Sequence, residues 1–187
     1  LSYLKAQVNP HFLFNTLNSI YALALEKSDS TASAVVKLSG MMRYVLNDAN
    51  KDFVTLDKEL NYISDYIDLQ KIRYGNVLDL NYCVKGEVNG KQIAPLLLIP
   101  FVENAFKYGV NAEEESKIKI EITIQESELE INVINNKVTV QLNDEDKTGV
   151  GIANVKNRLQ LLYPGKHHLN ITDDIKSFSV YLTLNLQ

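Results

Sequence analysis

The chain has 187 residues, of which 45% are hydrophobic and 22% are charged, and its formal net charge is −4. This composition is typical of a soluble globular chain with one small domain and an appendage. The absence of a basic run argues against direct binding to nucleic acid, because neutralising phosphates requires clustered Lys and Arg. Cys83 is the only cysteine, which excludes an intramolecular disulfide. The longest apolar run, at 93–102, is shorter than the roughly 20 residues that span a bilayer.

The N-terminal part of the chain predicts a helical hairpin. Apolar residues recur at helical spacing over 1–24 and again over 34–46, and the polar stretch 26–31 separates the two runs. Pro10 removes an amide donor, so we expect a kink in the first helix just before His11. A two-helix hairpin cannot bury a wide apolar face alone, which favours pairing with a second copy into a four-helix bundle and predicts a homodimer. The alternative is that the hairpin packs onto the rest of its own chain.

The remainder of the chain predicts a sheet with helices on one face. Thr55 can cap a helix that runs to about Tyr74. Helices are also predicted at 96–109 and 151–162, and the boundary with the hairpin is placed near Asp52. Alternating apolar residues predict strands at 77–84, 117–124, 128–134 and 178–186, with a weaker one at 167–172. The pattern indicates an α/β sandwich.

Three segments carry residues suited to phosphoryl chemistry. QVNPHFLFNTLNS (7–19) places His11 among amides and aromatics, and PFVENAFKYG (100–109) places amide, cationic and glycine residues on one helix. TGVGIANVKNRLQLLYPG (148–165) puts glycines before a helix, where backbone amides and the helix dipole favour phosphate. Taken singly, each has an ordinary reading: a helix-surface histidine, a solvated helix face and a glycine turn.

Taken together, the segments resemble a known family. The second and third are similar to the N box and the second glycine box of sensor histidine kinases, and NPHFLFNTLNSI (9–20) resembles the acceptor segment of LytS-like members. TLDKELNYISDYIDLQKIRYG (55–75) is similar to a further pattern of that family, so the resemblance spans nearly the whole chain. It implies an α+β protein with a dimerisation and phosphoacceptor hairpin at 1–51, truncated at its N-terminus, and an ATP-binding domain of the Bergerat fold at 52–187.

The resemblance implies a catalytic function. The chain would be the kinase core of a two-component system, which transfers the γ-phosphoryl group of ATP to His11 and then to an aspartate of a response regulator. Transfer would rest on positioning and on neutralisation of phosphate charge. Phe12 stands where many other kinases carry an acid beside the histidine, and Asn15, one turn later, is a candidate for orienting the imidazole.

The resemblance also assigns a nucleotide site. Asn104 would bind Mg²⁺ together with the nucleotide phosphates, since Mg²⁺ prefers oxygen ligands, and Lys107 would add a cation. Asn135 stands where many kinases carry an aspartate for the adenine amino group, which predicts retained but weaker ATP binding. The segment 137–147 would be a short ATP lid. The other nucleotide-binding candidates are Tyr108, Gly149, Gly151, Asn154 and Arg158.

The residues near Asn104 also bear on functions other than phosphorylation of a histidine. ATPases of this fold use a water-activating carboxylate one helical turn before the magnesium ligand, and Pro100 occupies that position, which argues against an ATPase. Glu103 points about 100° away from Asn104 on a helix and is kept as a candidate site residue. The alternatives are a GHKL-type ATPase, a degenerate kinase acting as a nucleotide-binding or interaction module, and a sensor in which phosphatase activity dominates.

The resemblance also implies a location. The chain begins within the acceptor helix without an initiator methionine, and sensor kinases of this family carry a membrane or sensory portion upstream. We therefore expect the cytoplasmic portion of a bacterial inner- or plasma-membrane protein, attached to the membrane only through a preceding region. No signal peptide is visible in the sequence.

Overall fold

The computed structural model describes residues 10–111, 113–139 and 150–186. Within these ranges no helix combines the length and the apolarity needed to cross a bilayer. The helices are α1 (Pro10–Leu25), α2 (Ser30–Asn47), α3 (Leu56–Tyr74), α4 (Ile99–Gly109) and α5 (Val150–Leu162). They include the predicted hairpin, α1 and α2. The kink expected at Pro10 depends on residues 1–9, which lie outside the described residues.

The described ranges also contain seven strands. They are β1 (Val54–Thr55), β2 (Leu78–Gly86), β3 (Gln92–Ile93), β4 (Ser116–Gln125), β5 (Glu128–Asn136), β6 (His167–Asp173) and β7 (Ser177–Asn185). β1 and β3 form a short antiparallel pair, and the other five form one sheet in the order β2-β4-β5-β7-β6. β2 is parallel to β4, so the chain must cross over between them, and α4 lies on that connection. The five predicted strands of the main sheet are confirmed.

The main sheet is buried on one face. On β4, the side chains of Ile118, Ile120, Ile122 and Ile124 are buried and alternate with exposed or half-buried residues such as Lys119. This is the period of two expected for a sheet with one covered face. α4 packs against β4 and β5, and α5 packs against α4. The α/β sandwich that the sequence predicts is therefore confirmed.

The hairpin contacts α3 of its own chain. The rings of Tyr44 on α2 and Tyr62 on α3 lie 5.1 Å apart between centroids. The ammonium group of Lys37 lies 3.3 Å from a carboxylate oxygen of Asp65 and 2.8 Å from one of Asp68. Within the single chain the hairpin therefore packs onto the helix that follows it. This is the arrangement that the sequence offered as the alternative to pairing with a second copy.

Two helix starts differ from the sequence prediction. Thr55 is the residue before α3, but its side chain makes no capping hydrogen bond; instead the amide of Leu56 donates to the carbonyl of Lys91 at 2.9 Å. α4 begins at Ile99 rather than at 96, with Pro100 in its first turn, a position that tolerates proline because the missing N–H needs no helical partner. The preceding residues 94–98, here called the α4 turn, are not helical, and Leu96 among them has a φ of +53°.

Candidate functional site

His11 lies on the exposed side of the first turn of α1. The amide nitrogen Nδ2 of Asn15 lies 3.2 Å from its Nδ1 and 3.1 Å from its Nε2, because the two residues are one helical turn apart. An amide N–H donates to whichever ring nitrogen lacks a proton, so the contact depends on the imidazole tautomer. The structure therefore brings together the predicted acceptor and its predicted orienting residue, while their chemical roles stay predictions.

Phe12, the next residue, fixes which side of α1 faces inward. Its side chain is buried, and its ring centroid lies 4.7 Å from that of Tyr66 on α3. Tyr66 in turn meets Phe106 of α4 edge-on, at 5.6 Å between centroids. Aromatic pairs at these separations are attractive. The helix that carries His11 is thereby linked, through one ring of α3, to the helix that carries the N-box residues.

α4 divides into a buried face and a half-exposed face. Asn104, Lys107 and Tyr108 lie on the half-exposed face, and the Lys107 ammonium group lies 5.3 Å from the centroid of the Tyr108 ring. The buried face consists of Ile99, Phe101, Val102, Ala105, Phe106 and Gly109. The amide oxygen of Asn104 is a hard ligand of the kind Mg²⁺ accepts, and the neighbouring cation suits phosphate. These donor groups fit a Mg–nucleotide complex chemically.

Glu103 lies one residue before Asn104 on α4 and is half-buried. Burial raises the pKa of its carboxyl to about 7, and the charge of Lys107 acts in the opposite direction. Burial is also the main cause that raises the pKa values of Tyr62 and Tyr66, with the charge of Glu103 adding to it. On a helix the side chains of Glu103 and Asn104 diverge by about 100°, so Glu103 stays a candidate without an assigned role.

Asn135 is the penultimate residue of β5, lies on the buried face of the sheet and is only 1% exposed. Its Nδ2 donates to the carbonyl of Asn136 at 2.8 Å. Within the described ranges no donor bonds to its Oδ1, so a buried acceptor is left for a group such as the adenine amine. A Cβ added to Gly109 would lie 2.7 Å from the Cβ of Asn135, so the end of α4 approaches β5 at a distance that only glycine permits.

The start of α5 carries the remaining predicted nucleotide residues. Gly151 and Asn154 are exposed in the first turns of the helix, and a Cβ added to Gly151 would meet nothing within 4 Å. Unpaired amides at a helix start suit an anion. Gly149 lies outside the described residues, as does most of the predicted lid at 137–147, of which 137–139 are described.

Arg158 lies on α5, but its guanidinium is engaged elsewhere. It donates to the carbonyl oxygen of Pro95 at 2.7 Å and to that of Leu96 at 3.1 Å. Both acceptors belong to the α4 turn. The geometry favours a structural role for Arg158, holding that turn against α5, over the nucleotide contact that the sequence predicts for it.

Sequence reasoning missed the buried carboxylate of Glu59 on α3. Its oxygens accept hydrogen bonds from the Tyr44 hydroxyl and from three amides of the α4 turn. The one signal in the sequence was the Glu-Leu pair within 55–75, which contributed to the family resemblance without suggesting a role. A buried carboxylate with several donors is a feature that requires the spatial arrangement to recognise.

Comparisons with known proteins found a matching family model and several similar sensor proteins. Residues 1–78 match the family model described as histidine kinase. The sensor protein LytS of Staphylococcus epidermidis is 30% identical over 180 residues, covering 90% of this chain and 30% of the relative. The sensor protein kinase HptS of Staphylococcus aureus is 30% identical over 183 residues, covering 91% of this chain and 35% of the relative.

A solved structure is also similar. Histidine kinase ThkA in complex with response regulator protein TrrA aligns with a TM-score of 0.47 and 11% identity, covering 95% of this chain and 60% of the solved one. The chain spans about a third of the length of the two sensor proteins it matches, with 30% and 35% of each covered. Residues 1–78 thus match the histidine kinase family model, and the chain is similar to the sensor proteins LytS and HptS over about nine tenths of its length.

Proposed function

We propose that this chain is the kinase core of a two-component sensor histidine kinase and transfers the γ-phosphoryl group of ATP to His11. The observation that carries the proposal is the placement of an exposed histidine beside a buried aromatic anchor: Phe12 packs on Tyr66, and Tyr66 packs on the helix that bears Asn104. An anchored helix with an accessible nucleophile satisfies the positioning on which phosphoryl transfer depends.

The nucleotide would be held by the half-exposed face of α4 and the start of α5. Asn104 would bind Mg²⁺, Lys107 and the amides near Gly151 and Asn154 would face the phosphates, and the buried oxygen of Asn135 would accept from the adenine amine. Bound Mg²⁺ supplies charge neutralisation to the phosphates. The neutral acceptor at Asn135 supports weaker ATP binding than an aspartate would give, because charged acceptors form stronger hydrogen bonds.

The chemical step requires a ring nitrogen of His11 with a free lone pair. When the Asn15 amide is turned so that its oxygen faces the ring, that oxygen accepts from the protonated nitrogen and leaves the other nitrogen to attack phosphorus. A nitrogen–phosphorus bond forms, the bond from the γ-phosphorus to the bridging oxygen breaks, and ADP leaves. We propose that the phosphoryl group then passes to an aspartate of a response regulator.

A homodimer is also part of the proposal. In the single chain an apolar stripe on α1 stays exposed after the hairpin has packed on α3, and it consists of Phe14, Leu17, Tyr21 and Leu25. Spacings of three and four residues place these side chains along one side of the helix. A second copy of the hairpin would cover the stripe in a helical bundle.

The test is labelling with γ-labelled ATP and Mg²⁺. We expect acid-labile, alkali-stable label on the wild-type chain, loss of label in His11→Gln, and strong loss in Asn104→Ala. The variant His168→Gln, on β6, is the matched control and should keep its label. Label that survives in His11→Gln would contradict the proposal. ATP binding without label would favour a degenerate kinase, and a chain that binds no ATP would leave only the interaction module.

A further inference from the structure

The α4 turn (94–98) is held from the α5 side by two residues. The hydroxyl of Tyr163, the residue that follows α5, accepts from the amide of Ala94 at 2.9 Å. Arg158 donates to the carbonyls of Pro95 and Leu96. The turn therefore presents its first amide and two of its carbonyls to α5. The residue that changes its direction, Leu96, has a positive φ, which a non-glycine residue adopts only where its surroundings hold it.

Glu59 holds the opposite side of the same turn from α3. The side chain is fully buried, and its carboxylate oxygens accept from the amides of Leu96 at 2.8 Å, Leu97 at 2.9 Å and Leu98 at 3.2 Å. Amides at the start of a helix have no partner within the helix, and a carboxylate beside them is favoured by the helix dipole. Glu59 thus fixes the point from which α4 starts.

Tyr44 brings the hairpin into this arrangement. Its hydroxyl, on α2, donates to Oε2 of Glu59 at 2.6 Å, and the same oxygen accepts from the amide of Leu96. Burial raises the pKa of the Glu59 carboxyl, whereas its hydrogen bonds from Tyr44 and the three amides lower it. Burial is the larger effect, so the pKa of this carboxyl lies above its usual value, while all four neighbouring groups donate to its oxygens. One buried oxygen therefore joins the hairpin to the start of α4.

We propose that Glu59 and Tyr44 are positioning residues that set α4, and with it Asn104, relative to the hairpin that carries His11. The inference rests on the proposed kinase function. Asn104 lies five residues after the first residue of α4, within one continuous helix, so a displacement of the helix start moves it as well. A shift of α2 against α3 changes the donor on Glu59 and reaches the nucleotide-binding helix through the α4 turn.

The first test compares Tyr44→Phe with Tyr62→Phe. Both variants remove a hydroxyl from buried, neighbouring rings, but only the first removes a hydrogen bond to Glu59. For Tyr44→Phe we expect kcat for His11 phosphorylation to fall about tenfold while KM for ATP stays within about twofold, because the lost contact orients the hairpin rather than the nucleotide. Tyr62→Phe should keep both parameters. Equal kinetics in the two variants would overturn the proposal.

A second readout does not require turnover. Hydrogen exchange at the amides of residues 96–98 should accelerate about tenfold in Tyr44→Phe and stay unchanged in Tyr62→Phe. Unchanged exchange in Tyr44→Phe would overturn the link between α2 and the α4 turn. A wild-type chain without label would defeat the proposed function, whereas the exchange comparison would still decide whether the link exists.

Glu59→Gln tests the carboxylate itself. The amide keeps the shape of the side chain but replaces one acceptor oxygen with an NH₂ group that faces donors. We expect a larger fall in kcat than in Tyr44→Phe, together with about tenfold weaker binding of a fluorescent ATP analogue, since the start of α4 loses its anchor. Unchanged binding and kcat in a folded Glu59→Gln chain would overturn the proposal. If that variant does not fold, the Tyr44→Phe comparison decides alone.

Discussion

The ring of Phe12 lies 4.7 Å from the ring of Tyr66, which buries the residue that directly follows His11. One helical position therefore faces the core and its neighbour faces outward. The contact determines how α1 is rotated, and so where the imidazole is presented. A kinase that relies on positioning needs this rotation to be fixed.

Phe12→Ala should destabilise the packing of α1, and Phe14→Ala should not. Truncating a buried phenylalanine costs about 3 kcal/mol or more, whereas a surface change away from such packing stays within about 0.5 kcal/mol. Phe14 is 65% exposed on the same helix and is the matched control. Chemical denaturation at low protein concentration, where self-association is minimal, measures both. Equal stabilities of the two variants would contradict the anchoring role of Phe12.

Asn15→Ala should slow the labelling of His11 without weakening ATP binding. The amide lies within hydrogen-bond distance of both ring nitrogens, and loss of one such bond corresponds to a rate fall of about fivefold to tenfold. Asn18→Ala, an exposed asparagine on the same helix, is the control and should label at the wild-type rate. A time course of labelling at saturating ATP, with samples quenched at intervals, measures the rate. A wild-type rate in Asn15→Ala would remove Asn15 from the mechanism.

Gly109→Ala and Gly151→Ala should separate stability from nucleotide binding. A Cβ at position 109 would lie 2.7 Å from the Cβ of Asn135, so Gly109→Ala should lower the free energy of unfolding by about 1–3 kcal/mol. A Cβ at position 151 meets open space, and alanine favours a helix, so Gly151→Ala should keep full stability.

The two glycine variants should also differ in how tightly they bind ATP. Gly151→Ala should bind ATP several-fold more weakly, because the added methyl group obstructs the approach of phosphate to the backbone. Calorimetric melting and titration with ATP measure the two properties. If Gly151→Ala binds ATP as tightly as the wild type does, the start of α5 is not the phosphate site.

The stability of the chain should depend on pH through Glu103. Its pKa is raised from 4.5 to about 7 in the folded chain, so the folded state binds a proton that the unfolded state releases between these values. The associated stability is fully present below about pH 4.5 and is lost as the pH rises through about 7. Because the carboxyl is half-buried, we expect the loss to be about 1–2 kcal/mol.

Glu103→Gln should remove that dependence. The amide does not titrate, so the difference in unfolding free energy between wild type and variant should change steadily between pH 4.5 and 7, the range set by the raised pKa. Urea denaturation at intervals of pH measures this difference. A difference that stays constant across the range would show that the carboxyl of Glu103 does not titrate with a raised pKa.

The periodicity of apolar residues predicted the helices and strands well, because each such pattern lies within a short stretch of sequence. The alternating isoleucines of β4 and the apolar spacing of the hairpin required no knowledge of distant residues. The start of α4 was misplaced by three residues, since the conformation at Leu96 is held by Glu59, which lies 37 positions earlier in the chain. Hydrogen bonds over such separations leave no periodic signal.

In the candidate site, too, local motifs could be predicted from the sequence and long-range contacts could not. The motif residues on α4 could be predicted from the resemblance, but the engagement of Arg158 with two carbonyls and the close approach of Gly109 to Asn135 could not. Sequence also could not decide that Phe12 is buried and His11 exposed, because the first helix has apolar residues on a broad face. These relationships arise from tertiary packing between elements that are far apart in sequence.

The most direct test is to locate the phosphoryl group by mass spectrometry after reaction with Mg–ATP, with digestion kept at alkaline pH to preserve phosphohistidine. We expect the modification on His11 alone, and none on His167 or His168. Modification at another residue, or none on a chain shown to bind ATP, would contradict it.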